Sequence, residues 1–141
     1  MKLGIWFAIA AAVTLAAAPS ASAGRDDGRV RLRCKAEGAQ DFSIDAKYEE
    51  RRGRIKFDSS FEAAPGLGFM NGDVLAVKVG GMTVGEMRLV ETIGGDVEGD
   101  LNFDTTAQAD DDDLPLPADF PDVSDGTGVV IGDLGCDLEE D

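Results

Sequence analysis

Most of this chain alternates between apolar and polar residues with a period of two, in short segments separated by glycine-rich turns. In residues 94–105, Val97, Leu101 and Phe103 share one parity. The other parity carries a ladder of polar residues: Asp96, Glu98, Asp100, Asn102 and Asp104. Because successive side chains of a strand point to opposite faces, this segment is predicted to be a strand with one buried face and one acidic face.

The same alternation predicts further strands along the chain. They cover residues 29–37, 41–48, 54–63, 73–79, 82–91 and 129–138. Gly80 and Gly81 predict a two-residue hairpin, and the slip in alternation near Gly85 predicts a β-bulge. The last strand is predicted to bury one parity, which comprises Val130, Leu134, Cys136 and Leu138.

Seven strands with glycine turns and no amphipathic helical window predict an all-β fold. We expect a single antiparallel β-sandwich of immunoglobulin-like or jelly-roll type with about seven strands, and an open β-barrel is the alternative. Residues 24–141 suffice for one domain. Its irregular part is an acidic, proline-rich loop at residues 106–128, in which Leu114, Leu116 and Phe120 are expected to cover an edge or end of the core.

The N-terminus has the pattern of a secretory signal peptide over residues 1–23. A positive start at Lys2 precedes an apolar run, and Ala21-Ser22-Ala23 forms a small-residue cleavage site before Gly24. The sequence therefore predicts export and cleavage, with the mature protein in the periplasm or secreted and no membrane insertion after cleavage.

Charge is distributed very unevenly along the predicted mature chain. Without Lys2, 12 basic side chains stand against 28 acidic ones, a net charge of −16, and no base follows Arg88. This imbalance disfavours binding to nucleic acid or to anionic lipid, which both need a basic surface. If strand 29–37 neighbours strand 94–105, its basic row is expected to pair with the acidic ladder; the row comprises Arg29, Arg31, Arg33 and Lys35.

Cys34 and Cys136 lie on the apolar parity of the first and last predicted strands. In an exported protein this placement predicts a disulfide bond. A redox-active or metal-binding thiol pair is the rival interpretation, but the chain has no Cys-x-x-Cys motif and no histidine.

The absence of histidine excludes the histidine-dependent nucleophile systems and removes the commonest ligand for zinc and copper. A carboxylate-based hydrolase, such as a glycosidase, needs only two carboxylates, but it also needs aromatic platforms. The predicted mature chain has one tyrosine and no tryptophan, because Trp6 lies in the signal peptide. The prediction is that the protein has no catalytic residue and no cofactor.

The remaining carboxylates suit hard cations, and calcium binds six to eight oxygen ligands from carboxylates, carbonyls and water. Candidate ligands are the carboxylates of the acidic loop: Asp110, Asp111, Asp112, Asp113, Asp122 and Asp125. The ladder begins like an EF-hand loop at Asp96, but Leu101 occupies the position that requires glycine and the bidentate glutamate is missing. A possible Ca²⁺ site is therefore predicted in the 110–125 loop and not on the ladder.

Four segments resemble small exported bacterial β-rich domains of unknown function. They are GRIKFDSSFEAAPG, VLAVKVGGMTVGEMRL, GDVEGDLNFDT and FPDVSDGTGVVIGDL. The resemblance lies in the strand-and-turn pattern and implies no catalytic or binding residue. The sequence as a whole predicts an exported, non-catalytic, acidic binding or structural module for a protein or surface partner; a calcium-binding module is the alternative, and a carboxylate-based hydrolase the distant one.

Overall fold

The computed structural model describes residues 28–108 and 112–141, so the predicted signal peptide at residues 1–23 lies outside the described residues. Within the described part the chain forms eleven strands. The long ones are β1 (Val30–Glu37), β2 (Phe42–Arg51), β3 (Arg54–Ala63), β4 (Val74–Val79), β5 (Met82–Arg88), β7 (Val97–Asp104), β9 (Gly128–Ile131) and β10 (Leu134–Asp137). Three strands have only two residues: β6 (Val90–Glu91), β8 (Leu114–Pro115) and β11 (Glu139–Glu140).

These strands form two sheets that pack face to face, as the alternation predicts. The larger sheet has the order β11-β1-β2-β3-β7-β6, with β8 added in parallel to β7, and the smaller sheet has the order β10-β9-β4-β5. All other strand pairs are antiparallel. The structure thus confirms an all-β fold of two antiparallel sheets, consistent with a sandwich, and it is not a closed barrel. No helix in the described part of the chain is long and apolar enough to cross a membrane.

Two strands pass from the smaller sheet to the larger one at fully buried leucines. Leu89 lies between β5 and β6, and Leu138 lies between β10 and β11. The backbone of Leu89 donates to the carbonyl of Asp73 (2.7 Å) and accepts from the N–H of Gly72 (2.8 Å). Leu138 likewise donates to Thr127 (2.9 Å) and accepts from Gly126 (2.6 Å). The buried N–H and C=O groups of both corner leucines are therefore hydrogen-bonded.

Phenylalanines from the two longest connections close the ends of the core. At one end, Phe69 packs against Phe42 and Phe61, with ring centroids 5.7 and 4.8 Å away. At the other end, Phe120 packs against Phe57 and Phe103, at 5.5 and 6.2 Å. Phe120 and Leu116 therefore cover the core as the sequence predicts, whereas Leu114 in β8 is half exposed.

The two predicted irregularities of the smaller sheet are confirmed. β4 and β5 are joined by Gly80 and Gly81, which both have positive φ angles (56° and 82°), as a two-residue hairpin requires. The register of this pair shifts between Val77 and Lys78, opposite Gly85. A Cβ at Gly85 would lie 2.9 Å from Leu101 on β7, so the absence of a side chain at Gly85 lets β5 approach the larger sheet closely.

The predicted last strand, residues 129–138, is wrong in one respect. It is a hairpin, because Gly132 and Asp133 turn the chain between β9 and β10. Gly132 has a positive φ angle (60°), and Leu134 pairs with Ile131 across the turn. Val129 and Ile131 are therefore buried and Val130 is exposed, the reverse of the prediction, while Leu138 is buried as predicted.

The predicted disulfide bond forms between Cys34 on β1 and Cys136 on β10, with a Cα–Cα distance of 5.7 Å. It links the larger sheet to the smaller one, two residues before the corner at Leu138. The bond is compatible with the oxidising environment of an exported protein. The bridged cysteines are 102 positions apart, so the bond closes almost the whole described chain into one loop.

We expect replacement of both bridged residues (Cys34→Ala with Cys136→Ala) to lower the free energy of unfolding by about 4–5 kcal/mol, because a long closed loop restricts the unfolded chain. Urea unfolding of the oxidised protein and the double variant measures the difference. Reductant should weaken the native protein and leave the double variant unchanged. A loss below about 1 kcal/mol would contradict the chain-entropy account.

Candidate functional site

The basic row of β1 is neutralised by the neighbouring strand β2. Arg29 Nη2 lies 2.7 Å from Glu49 Oε1, and Arg33 forms a bidentate pair with Asp45 at 2.7 and 3.3 Å. Lys35 Nζ is 3.3 Å from the same carboxylate. Partial burial of Asp45 opposes ionisation, but the hydrogen bonds from Arg33 and Lys35 outweigh it and hold the pKa of Asp45 below its ordinary value.

The acidic ladder does not meet this basic row. Both lie in the larger sheet, but β2 and β3 separate β1 from β7, so the two strands are not neighbours and the pairing that depended on this does not form. Glu98 faces Glu62 across the β3–β7 pair, and Asp100 faces Ser60. The sequence cannot reveal this arrangement, because alternation sets which face a side chain occupies and leaves the strand order open.

The last member of the ladder, Asp104, has a structural role that its exposed neighbours lack. It is 3% exposed, and Arg54 donates to its two carboxylate oxygens at 3.1 and 2.6 Å. The backbone and hydroxyl of Thr106 also donate to Asp104 Oδ1, both at 2.9 Å. The Arg54 hydrogen bond is the main cause that holds the pKa of Asp104 far below its ordinary value, against the opposing effect of burial.

Asp58 has the opposite electrostatic environment on the same face. It lies in a groove of about 370 Å³ on the outer face of the larger sheet, which also contains Asp100, Asn102 and Asp113. Burial is the main cause that raises the pKa of Asp58, and the carboxylate of Asp113 adds to it, while Lys56 opposes it from 4.0 Å. The ionised form of Asp58 therefore destabilises the folded protein.

These two shifts predict opposite effects of charge removal. Asp104 stays ionised at lower pH in the folded protein than in the unfolded chain, so its stabilisation is complete above about pH 5 and is lost as the pH falls further. Asp104→Asn should lower the free energy of unfolding at pH 7 by about 1–3 kcal/mol. Between pH 5 and pH 3, the free energy of unfolding of this variant should fall less than that of the native protein. Asp58→Asn should raise the free energy of unfolding at pH 7 by less than about 1 kcal/mol. The reason is that folding raises the pKa of Asp58, so the ionised side chain is less stable in the folded protein than in the unfolded chain.

Urea unfolding at pH 7, 5 and 3 measures both effects, and Asp100→Asn on the same exposed face serves as the control. Equal destabilisation by all three substitutions would contradict these assignments.

The predicted calcium ligands are only partly described by the structure. Asp110 and Asp111 lie outside the described residues. Asp113 Oδ2 is 3.7 Å from Lys56 Nζ, and Asp112, Asp122 and Asp125 are exposed. Across residues 28–108 and 112–141, no three acidic or cysteine side chains gather where they could hold a metal ion. Calcium binding by this loop stays a prediction.

The two cysteines and the tyrosine of the described chain have structural roles. Both cysteines are in the disulfide. The Tyr48 hydroxyl donates to Glu50 Oε2 at 3.0 Å, and burial, together with this acidic partner, raises the pKa of Tyr48 well above its ordinary value. A raised pKa makes a phenol a weaker acid at neutral pH, which is the reverse of activation.

A cleft at one end of the sandwich is the strongest candidate for a functional surface. It has a volume of about 290 Å³, and the carboxyl-bearing residues that line it are Glu37, Asp41, Glu62 and Asp96, with no lysine or arginine among its lining residues. Ala64 N–H donates to the carbonyl of Asp41 (2.9 Å), which ties two of the connections at this end together. We call this the acidic end: the turn 38–41, the loop 64–73, the turn 92–96 and the strand termini beside them.

The opposite end carries the basic tip of the β2–β3 hairpin. Arg51, Arg52 and Arg54 lie there, ten residues along β2 and β3 from the acidic end. The larger sheet thus carries these three arginines at one end and the acidic cleft at the other. Three of the four acids that line the cleft, Glu37, Asp41 and Glu62, precede Arg88, so the sequence-level charge imbalance did not indicate this placement.

Comparisons with protein-family models, curated proteins and solved structures return no match for this chain.

Proposed function

We propose that this protein is an exported, non-catalytic binding or structural module that acts in the periplasm or outside the cell. The observation that carries the proposal is the acidic end, where four carboxyl-bearing residues line one cleft whose lining includes no lysine or arginine. Elsewhere on the larger sheet, acids such as Asp45 and Asp104 are paired with arginines. An unpaired concentration of exposed charge favours association with a complementary surface.

Export is part of the proposal and is supported by two independent features. The N-terminal pattern at residues 1–23 is that of a cleaved signal peptide, and the Cys34–Cys136 bond is of a kind that persists in oxidising compartments. For the absence of catalysis, support comes from the lack of histidine in the chain and from the structural use of Tyr48 and both cysteines.

The function is tested by capture of partners from the envelope fraction of the source organism, with the exported protein immobilised and a calcium chelator present. Neutralising the cleft (Glu37→Gln, Glu62→Gln and Asp96→Asn) should lower capture at least tenfold, and so should a rise in salt from 50 to 500 mM, because screening weakens exposed charge pairs. The matched control removes the same charge at the other end, by Asp119→Asn, Asp122→Asn and Asp125→Asn.

Equal loss of capture in both variants would show that net charge alone causes binding, and absence of any salt-sensitive partner would contradict the proposal. Capture that requires millimolar calcium and disappears with chelator would instead favour the calcium-binding alternative.

A further inference from the structure

Four large apolar side chains are exposed around the corner at which β5 passes into β6. Ile93 is fully exposed (110%), Met70 and Val90 are 65% and 55% exposed, and Val74 is 47% exposed. We call these four residues the corner patch. They are half of the large hydrophobic residues exposed in the described part of the chain, and the others are Val30, Met82, Leu114 and Val130.

Hydrogen bonds hold the segments of the corner patch together. The Glu91 N–H donates to the side-chain carbonyl of Asn71 at 3.1 Å, which places the residue after Met70 beside β6. The Gly72 N–H donates to the carbonyl of Leu89, the residue before Val90. In the turn that carries Ile93, Thr92 N–H bonds to Asp96 (2.7 Å) and Gly95 N–H bonds to Thr92 (3.0 Å). The apolar side chains are thus displayed on anchored backbone.

The charges around the corner patch are almost all negative. Asp73 lies three residues after Met70, and its carboxylate accepts a hydrogen bond from the Met70 N–H at 2.9 Å. Glu91 directly follows Val90, and Glu98 faces Val90 across the β6–β7 pair. Asp96 ends the turn of Ile93 and also lines the acidic cleft. The one base on these segments of the described chain is Arg88, which faces Val74.

This combination selects one class of partner. Anionic lipid and nucleic acid are repelled by the carboxylates. A second copy docked through the same patch would bring two acidic surfaces together, which is unfavourable. A protein surface with an exposed apolar side chain encircled by lysine or arginine is complementary in both respects, because a typical interface has an apolar centre and a charged rim.

We propose that the corner patch, together with the adjoining acidic cleft, is the docking surface for a cationic protein partner, with Ile93 and Val90 as its apolar contacts. This inference rests on the proposed function and deepens it, since it names where the partner binds and what the partner presents. Affinity then depends on the two apolar side chains, and the carboxylates around them set specificity and association rate.

The test uses the full-length chain expressed for export, purified with ¹⁵N label, and titrated with a decapeptide of two central leucines flanked by four lysines on each side. We expect amide shifts concentrated at Met70, Val90 and Ile93. A peptide with glycines in place of the leucines should bind at least tenfold more weakly, and one with glutamates in place of the lysines should not bind.

Ile93→Ser combined with Val90→Thr should weaken the leucine–lysine peptide at least tenfold, with an unchanged melting temperature because both side chains are exposed. The matched control is Val130→Thr, an exposed valine of the smaller sheet, which should bind as the native protein does. Equal affinity for the leucine and glycine peptides, or shifts confined to other surfaces, would overturn the inference.

The partners captured from the envelope separate this inference from the function on which it rests. Capture lost from both the cleft variant and the Ile93/Val90 variant supports the inference. Capture lost only from the cleft variant overturns the apolar contact and leaves the binding function standing, whereas no salt-sensitive capture by the native protein overturns both.

Discussion

The structure depends on two corners at which a strand leaves the smaller sheet and joins the larger one. Leu89 and Leu138 occupy these corners, and neither exposes any side-chain surface. In each case a turn glycine with a φ angle near 90°, Gly72 or Gly126, donates its N–H to the leucine carbonyl, and the residue after the glycine accepts from the leucine N–H. The same local chemistry thus pairs the backbone at both margins of the sandwich, where buried peptide groups would otherwise lack partners.

The disulfide and the close approach of β5 to β7 reinforce one corner each. Cys136 precedes Leu138 by two residues and ties the smaller sheet to β1. At the other corner, a Cβ at Gly99 would lie 2.7 Å from both Met87 and Leu89, so only glycine lets β7 pack so tightly against the crossing strand. A chain of this size buries limited apolar surface. The disulfide and the close packing at the two corners therefore contribute a larger share of its stability than they would in a larger protein.

The surface carries two kinds of charged side chain: those whose ion pairs stabilise the fold, and those without such pairs. Arginines of β1 and β3 neutralise Asp45 and Asp104 on the outer face of the larger sheet. The carboxylates of the acidic end have no such partners in the cleft that they line. The proposed contact surface is therefore a part of the molecule where no arginine neutralises the carboxylates within the cleft, and it lies beside the exposed corner patch.

Much of this fold could be predicted from the sequence because alternation reports burial directly. It identified the strands β2 and β3, the buried face of β7, the Gly80-Gly81 hairpin, the bulge at Gly85 and the disulfide. The missed hairpin between β9 and β10 had a signal in Gly132-Asp133, a dipeptide typical of two-residue turns. The prediction treated residues 129–138 as one strand and carried a single alternation through the turn. Val130 was therefore assigned to the buried face, although it is exposed on β9.

The candidate site was less accessible to prediction. The Arg54–Asp104 pair joins residues 50 positions apart, and only the antiparallel pairing of β3 with β7 brings them together. The acidic end likewise brings together Glu37 of β1, Glu62 of β3 and Asp96 of the turn before β7, and their proximity follows from strand order. Alternation carries no information about strand order, so the sequence indicated an acidic surface without indicating its position.

Native-state hydrogen exchange tests the central role of the corners most directly. The amides of Gly72, Leu89, Gly126 and Leu138 form the corner hydrogen bonds. If the corners hold the two sheets together, these amides exchange only when the whole domain unfolds, with opening free energies equal to those of the central strand β3 and an equal dependence on denaturant. Exchange of the corner amides through local openings of much lower free energy, insensitive to denaturant, would contradict the account.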